Sequence, residues 1–239
     1  MATSEIIWTT DWDRNFLCDA GLYNIHKFWK VETASKHVEY KHLRDEKSEK
    51  PPGERQTTCI RAKGARYYIK RASGHFYPAL INEFNALNTM SSIGVLTPIL
   101  AAFFLDENSK TALLVYKNLA GFNNLRKLFE GTVSPDAIAD FQIRKKQIIR
   151  ELAETRGKII KAGYLYSEWS ADHIFVKYKG PGIVLTDFEQ IEAVASMSWT
   201  RKNPISFSLI KMQEWKNFKS ALMSKIYTDA FLKKILKDK

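Results

Sequence analysis

The sequence is poor in cysteine and in long apolar segments. Cys18 and Cys59 are its only cysteines, and they form no CxxC motif. This usage fits a reducing compartment and argues against a structural metal site. The N-terminal stretch MATSEIIWTTDWDR lacks the basic start and apolar core of a secretory signal, and the longest apolar run, IGVLTPILAAFFL, contains a proline and is too short to span a bilayer. We therefore expect a soluble, cytoplasmic protein.

Acidic residues are scarce relative to basic ones. Asp and Glu number 26 against 37 Lys and Arg, which gives a formal net charge of +11. This surplus predicts an anionic partner, whether nucleic acid, a phosphate compound or an acidic membrane face. No recognised nucleic-acid-binding motif is present, so nucleic acid is the least favoured of the three. Apolar residues at 45% and aromatic residues at 13% are enough to build a buried core.

The first half of the chain carries strand patterns on either side of one helix. The stretch TTCIRAKGARYYIKRA predicts a hairpin whose second strand ends near Lys70, because Gly64 supplies the positive φ that a tight turn needs. Pro78 in a first turn, followed by apolar residues at helical spacing, predicts a helix that ends by Gly94. Two further apolar strands flank the turn-forming segment DENSK.

From Asn123 onward the pattern is helical. The segment NNLRKLFE predicts a short helix that ends at Gly131, and Ser134 as N-cap before a first-turn proline predicts a long helix that runs to Lys161. We expect the RKKQ and RGK segments of this helix to face water. The short strands HIFVKY and GIVLTDF follow, and then a terminal region rich in Trp, Phe, Leu and Lys with a helical pattern.

This order predicts an α+β fold of two lobes that join near Lys117 to Leu119. The N-lobe, 1–117, is expected to be small, antiparallel and β-rich with one helix, and the C-lobe, 118–239, to be mostly helical. This is the outline of a two-lobed protein-kinase-like fold. In the strip GYLYSEWSADHIFVKYKGPGIVLTDFEQIE, Glu168 stands in place of the catalytic aspartate of a kinase, His173 in place of its metal-binding asparagine, and Asp187 at the start of its Asp-Phe-Gly motif.

Two charged residues of the first half are candidates for binding nucleotide phosphates. Lys70 ends a strand, where its ammonium can reach the phosphates, and Glu83 lies in the middle of the following helix, as the lysine-orienting carboxylate of a kinase does. Either residue alone is more simply interpreted as a solvated side chain. Their order along the chain favours the functional interpretation.

Three residues of the second half are candidates for the chemistry. Asp187 follows an apolar strand, and a carboxylate near a core favours a cation partner, usually Mg²⁺, although a turn aspartate is the alternative. Glu168 and His173 have the spacing of a catalytic acid and a second metal ligand. Because magnesium prefers oxygen ligands, His173 could instead bond a phosphate or hold the loop.

From about Arg55 to Glu192 the sequence resembles the lipopolysaccharide core heptose kinases of the Kdo/WaaP family more than ordinary protein kinases. The similar segments are ERQTTCIRAKGARYYIKR, INEFNALNTMSSIGVLTP, TALLVYKNLAGFNNLRKLF and EWSADHIFV. The last of them places a histidine, rather than an asparagine, five residues after the catalytic acid. A histidine at this position is a feature of that family.

The resemblance implies a phosphotransferase that uses ATP and Mg²⁺ to phosphorylate a sugar hydroxyl of lipopolysaccharide core, an acidic glycolipid. The implied site residues are Lys70, Glu83, His173 and Lys117 for the nucleotide, Asp187 and His173 for the metal, and Glu168, Lys70 and Asp187 for catalysis. The acceptor would be reached on the cytoplasmic face of the inner membrane. The terminal segment FLKKILKDK could make peripheral contact with that face, although a solvated helix is the simpler interpretation.

The sequence departs from the family and kinase patterns at three points. The catalytic acid is Glu168, one methylene longer than aspartate, and Tyr166 and Ser167 replace the preceding His-Arg pair, so the loop must be held differently. There is no GxGxxG loop, although KPPGER could cover the phosphates. These departures keep an alternative open, in which the chain is a pseudokinase that uses the same fold as a binding or regulatory module.

Overall fold

The computed structural model describes residues 5–31, 38–42, 55–62, 64–167, 169–189, 191–193 and 216. The chain divides into two compact units. The first unit comprises Met1–Phe84 and Pro98–Leu119, and the second comprises Asn85–Thr97 and Ala120–Lys239.

The first unit is built on an antiparallel sheet of six strands in the order β1-β5-β6-β4-β3-β2. Its elements in chain order are β1 (Ile7–Trp8), α1 (Asp11–Asp19), α2 (Ile25–Trp29), β2 (Val38–His42), β3 (Arg55–Ala62), β4 (Ala65–Ser73), α3 (Tyr77–Ser92), β5 (Leu100–Asp106) and β6 (Thr111–Lys117). The last residues of α3 belong to the second unit.

The β3–β4 hairpin turns at Gly64, as predicted. Gly64 has a φ of +80°, a left-handed conformation that side chains rarely adopt, and the register on either side of it is regular from Ala62↔Ala65 onward. The second strand continues beyond the expected end at Lys70, because β6 supplies a hydrogen-bonding partner as far as the pair Ser73↔Thr111.

The helices α1 and α2 and the strands β1 and β2 were not predicted. Each helix begins at a side-chain cap, since the Thr10 hydroxyl accepts from the backbone N–H of Asp13 and the Asn24 amide oxygen accepts from that of Lys27. The helices cover one face of the sheet with buried side chains that include Leu17 and Phe28. Strands as short as β1 carry too little alternation to be found from the sequence.

The second unit contains two small antiparallel sheets and one long helix. Its further elements are β7 (Phe122–Asn124), α4 (Leu125–Glu130), α5 (Pro135–Lys161), β8 (Tyr164–Tyr166), β9 (Ile174–Lys177), β10 (Ile183–Leu185) and β11 (Ile191–Ala193). The strands form a three-stranded sheet of order β10-β9-β7 and a two-stranded sheet of β11 with β8. The expected helical start at Asn123 is wrong, because Phe122 to Asn124 pair with β9 instead.

Helix α5 has the bounds that the sequence predicted. The Ser134 hydroxyl accepts from the backbone N–H of Ala137, and Gly163 follows the helix with a φ of +83°. One part of the expected solvent face is wrong: the Arg144 side chain is only 14% exposed, because its guanidinium binds the β9–β10 turn. Among the described residues, no helix combines the length and the apolarity that a membrane span requires.

The described elements therefore make a mixed α/β fold with an antiparallel sheet. Several sequence predictions lie outside the described residues: Glu168, residues 50–54 of the KPPGER cover, the terminal helical region after Ala193 apart from Lys216, and the membrane segment FLKKILKDK.

Candidate functional site: two groups of charged residues

In the first unit, Lys70 and Glu83 form an ion pair. The Lys70 ammonium nitrogen lies 2.8 Å from each carboxylate oxygen of Glu83. The Glu83 side chain is 2% exposed and that of Lys70 is 16% exposed, so little water screens the pair. A carboxylate that binds the ammonium with both oxygens fixes its position, as a phosphate-binding lysine requires.

Alternation along β4 explains why Lys70 faces α3. Tyr67 and Ile69 lie in the apolar core of the unit, and in a strand the intervening residues point to the opposite face. On α3, Leu80 and Leu87 are buried on either side of Glu83 at helical spacing. The two predicted residues are therefore brought together by one strand and one helix, although their role in binding nucleotide stays a prediction.

Arg71, the neighbour of Lys70, was missed by the sequence analysis. Its guanidinium is buried at 2% exposure and donates to the backbone oxygens of Phe28 and Trp29, at the end of α2. It also donates to the side-chain oxygens of Gln56 and Thr58 on β3. These bonds fix β4 to two neighbouring elements, and so stiffen the strand that carries Lys70.

Lys117 lies at the end of β6, where its ammonium is bound by Asp13. The Lys117 nitrogen is 2.8 Å from an Asp13 carboxylate oxygen, and Asp13 is fully buried. The hydroxyl of Tyr67 faces the other oxygen of Asp13 at 3.4 Å, and burial together with this carboxylate raises the pKa of Tyr67. Asp13 was not predicted, and neither was the helix α1 in whose first turn it lies.

In the second unit, the β9–β10 hairpin brings His173 and Asp187 together. The strands pair in register up to Ile174↔Leu185, so His173 precedes one strand and Asp187 follows the other at the same open end. The backbone N–H of Thr186 continues the ladder by donating to the His173 oxygen at 3.0 Å. The His173 Nε2 then lies 3.5 Å from an Asp187 carboxylate oxygen.

Asp187 has an unusual backbone conformation. Its φ is +65°, in the left-handed region, whereas the neighbouring Leu185 lies in a regular strand. Residues other than glycine adopt this conformation at a cost, and such residues cluster at active and ligand-binding sites. The turn directs the Asp187 carboxylate towards His173 while Phe188 is fully buried.

Glu189 adds a second carboxylate beside Asp187, and oxygens of the two lie within 4.8 Å of each other. Glu189 is 8% exposed and Asp187 18% exposed. Two partly buried carboxylates at this separation form the hard-oxygen donor set that magnesium prefers, whereas the imidazole of His173 is a poorer ligand for it. The residues therefore fit a magnesium ion on Asp187 and Glu189. The sequence carried no signal for Glu189 as a ligand, because the Asp-Phe-Gly motif has a glycine at this position.

Tyr166, which was predicted to stand where a kinase has the histidine of its His-Arg pair, is held by aromatic packing. Tyr166 is buried between Trp169 and Phe188, with ring centroids 5.0 Å and 5.4 Å away. Its hydroxyl donates to the backbone oxygen of Thr186 at 2.6 Å. This bond ties Tyr166 to the residue before Asp187. Glu168, between Tyr166 and Trp169 in the chain, lies outside the described residues.

The closed end of the hairpin is fixed by α5. Arg144 binds Asp140 on its own helix and donates to the backbone oxygens of Lys177 and Gly180 in the β9–β10 turn. The hydrogen bonds from Arg144 hold the pKa of Asp140 below its usual range. Glu151 accepts from the backbone N–H of Gly182 at 3.0 Å. The hairpin that carries His173 and Asp187 is thus held at both ends.

No family model matches the sequence, and the search of curated proteins finds no match. The fold, in contrast, is shared with solved structures. One of these is WaaP in complex with acyl carrier protein, which superposes with a TM-score of 0.52 at 14% identity, over 98% of this chain and 97% of that chain. It bears the name of the family that the sequence resembles. At this identity, the likeness concerns the fold alone.

Proposed function

We propose that the protein is a phosphotransferase that moves the γ-phosphate of ATP, with Mg²⁺, to a sugar hydroxyl of lipopolysaccharide core. The observation that carries the proposal is the ion pair of Lys70 with Glu83, because a lysine held by a buried carboxylate is the phosphate-binding device of kinases. The structural likeness to WaaP supports the fold that the proposal requires.

The proposed roles follow the two groups of residues. In the first unit, Lys70 binds the nucleotide phosphates and Glu83 orients it, and Lys117 contributes to nucleotide binding from the end of β6. In the second unit, Asp187, with Glu189, holds magnesium, which when bound offsets the charge of the phosphates. His173, whose Nε2 faces Asp187, orients that carboxylate.

Glu168 is proposed as the base. In the transfer step, the acceptor hydroxyl oxygen forms a bond to the γ-phosphorus, the bond from that phosphorus to the bridging oxygen of ADP breaks, and the hydroxyl proton passes to the Glu168 carboxylate. ADP leaves with the electron pair of the broken bond. The two units would correspond to the two lobes of a protein-kinase-like fold, 1–117 and 118–239.

The acceptor class rests on the resemblance and on charge. A formal net charge of +11 suits a phosphorylated, acidic glycolipid, and we propose that the protein meets it at the cytoplasmic face of the inner membrane. Nucleic acid is not proposed as a partner, because a basic balance alone does not explain why Glu83 is placed on Lys70.

The test is a binding measurement followed by a transfer measurement. ATP binding is measured by calorimetry with and without Mg²⁺, and labelled γ-phosphate transfer is then measured to lipopolysaccharides that differ in core phosphorylation. The proposal expects binding that Mg²⁺ strengthens and label in the core sugar. Failure to bind nucleotide under both conditions would refute it.

A second candidate function is a pseudokinase of the same fold, acting as a binding or regulatory module. It is favoured by the glutamate at position 168, which departs from the aspartate of active kinases. Binding of ATP without transfer to any core acceptor would select this candidate.

A further inference from the structure

The side chain of Asn124 joins two elements that adjoin the proposed catalytic loop. Its amide oxygen accepts from the backbone N–H of Lys127 at 3.3 Å, and so caps the N-terminus of α4. Its amide nitrogen donates to the backbone oxygen of Asp172 at 2.6 Å. The two bonds use opposite ends of the amide and fix its orientation, because only one assignment of nitrogen and oxygen satisfies both.

The turn that Asn124 reaches, residues 170–173, ends at His173, and we refer to it as the His173 turn. Within it, the backbone N–H of His173 donates to the Ser170 oxygen at 3.0 Å, and that of Asp172 to the Ser170 hydroxyl at 3.2 Å. These bonds are local and lie near the surface. Local bonds of this kind set the shape of a turn but do not fix it to the rest of the unit.

Two bonds from Arg126 support the same contact. Its backbone N–H donates to the Ala171 oxygen at 3.1 Å, and its guanidinium binds the Asp172 carboxylate. The guanidinium pair is about half exposed on both sides, so solvent screens it and its contribution is small. The bond from the Asn124 amide lies directly at the end of β7, where Asn124 pairs with Phe175 of β9. It therefore extends the strand pairing into the turn.

We propose that Asn124 is a positioning residue for the proposed phosphotransferase reaction. By holding the Asp172 carbonyl, its amide nitrogen keeps the His173 turn in the conformation that places His173 Nε2 beside the Asp187 carboxylate. Asn124 touches neither nucleotide nor acceptor in this proposal and acts through His173. The effect of Asn124 on catalysis rests on the proposed function. Its effect on the conformation of the His173 turn does not.

The two ends of the amide can be separated by substitution. Asn124→Asp keeps an oxygen to cap α4, since aspartate is as good an N-cap as asparagine, but replaces the donor to the Asp172 carbonyl by an oxygen that it repels. Asn124→Ala removes both bonds. A matched control is Asn24→Asp, because Asn24 caps α2 through its amide oxygen in the same way and belongs to the first unit.

The first readout needs no activity. Hydrogen exchange of the His173, Thr186 and Arg126 amides is measured by NMR in the full chain, together with the thermal midpoint of unfolding. We expect Asn124→Asp to speed exchange at these amides about tenfold with little change in the midpoint, and Asn24→Asp to leave them unchanged. Wild-type exchange rates in Asn124→Asp, with faster exchange in Asn124→Ala alone, would show that Asn124 acts only as a helix cap and would overturn the proposal.

The second readout is transfer kinetics. We expect Asn124→Asp to lower kcat about fivefold or more, with KM for ATP within about twofold of wild type, because Lys70 and Glu83 are untouched. An unchanged kcat alongside faster exchange would overturn the catalytic part. If wild-type protein transfers no phosphate, the proposed function fails, whereas the exchange result still decides whether Asn124 holds the His173 turn.

Discussion

The ammonium of Lys70 lies 2.8 Å from both carboxylate oxygens of Glu83, which is the more deeply buried partner of the two. Because both carboxylate oxygens bind it, the Lys70 ammonium is held in one position. The pairing also means that removing either residue affects stability as well as any activity, because the remaining group would be left buried without its counter-charge.

A double-mutant cycle separates these effects. We expect Lys70→Met and Glu83→Gln each to lower the free energy of unfolding by about 2 to 3 kcal/mol, and the double variant to lose less than the sum, because neither charge is then left alone. All three should bind ATP weakly and transfer no phosphate. Urea unfolding and label transfer check this. A stable double variant with wild-type turnover would rule out Lys70 as a phosphate ligand.

Asp187→Asn tests the proposed magnesium site. The substitution keeps the shape of the side chain and removes a negative charge, so we expect Mg²⁺ no longer to strengthen ATP binding and transfer to fall by about a hundredfold. Calorimetry at several Mg²⁺ concentrations measures the first effect. Asp106→Asn, at the last residue of β5, is the control, and its Mg²⁺ dependence and transfer should match those of wild type. Retained magnesium dependence in Asp187→Asn would contradict the assignment.

The role of Lys117 can be separated from that of its partner Asp13. If Lys117 binds nucleotide directly, Lys117→Met weakens ATP binding, whereas Asp13→Asn leaves the ammonium in place and does not. We expect Lys117→Met to lose about 3 kcal/mol of stability, because it leaves the fully buried Asp13 carboxylate without this counter-charge, and Asp13→Asn to lose about 1 kcal/mol, because the ammonium that remains is partly solvated. Calorimetry and urea unfolding give the two quantities. Equal loss of ATP affinity in both variants would indicate that the pair only supports the end of β6.

The contact between Asp140 and Arg144 predicts a pH dependence of stability. Hydrogen bonds from Arg144 lower the pKa of Asp140 in the folded protein. The contribution of this carboxylate is therefore fully present above its unfolded pKa and is lost as the pH falls through the folded one. We expect Asp140→Asn to cost about 2 kcal/mol at pH 7, and the difference from wild type to shrink below about pH 4.

The control for this prediction is Asp136→Asn. Asp136 is an exposed first-turn residue of the same helix, so its favourable interactions with the helix dipole and with the Lys179 ammonium are lost, about 0.5 kcal/mol. Urea unfolding from pH 7 down to pH 3 compares the three proteins. A difference between Asp140→Asn and wild type that stays constant over this range would show that the charge of Asp140 does not contribute.

Substitution of Glu168 distinguishes an active kinase from a pseudokinase. If Glu168 is the base, Glu168→Ala should lower kcat by about 100-fold or more while ATP binding is kept. If the chain is a pseudokinase, Glu168→Ala changes nothing measurable and Glu168→Asp produces transfer where wild type has none. The same label-transfer assay reads both variants.

Several elements were predictable because their signals are local. The N-cap Ser134 with its following proline placed α5, and Gly64 placed the β3–β4 turn, since caps and turns depend on a few neighbouring residues. The helical start at Asn123 was predicted wrongly, since Phe122 to Asn124 form a strand. Their strand conformation comes from pairing with β9, some fifty residues further along the chain, and no local pattern reports such a partner.

Some residues of the candidate site were likewise predictable from the sequence, and others were not. Lys70, Glu83, His173 and Asp187 were identified from their order along the chain, whereas Asp13, Arg71 and Glu189 became apparent only from their burial and contacts. A buried charged residue cannot be recognised from the sequence, because the same residue types are common on the surface. Asn124 is a similar case: an asparagine before a helix predicts a cap, but not a second bond to Asp172.

The sequence by itself determined the types of the main elements, the basic charge balance and the set of residues from which a phosphotransferase site can be drawn. These properties depend on composition and on short-range periodicity, and both can be read directly from one sequence. The tertiary structure alone decided which charges meet: Lys70 with Glu83, Lys117 with Asp13, and His173 with Asp187. Such meetings depend on strand register and helix packing, which the whole fold fixes cooperatively.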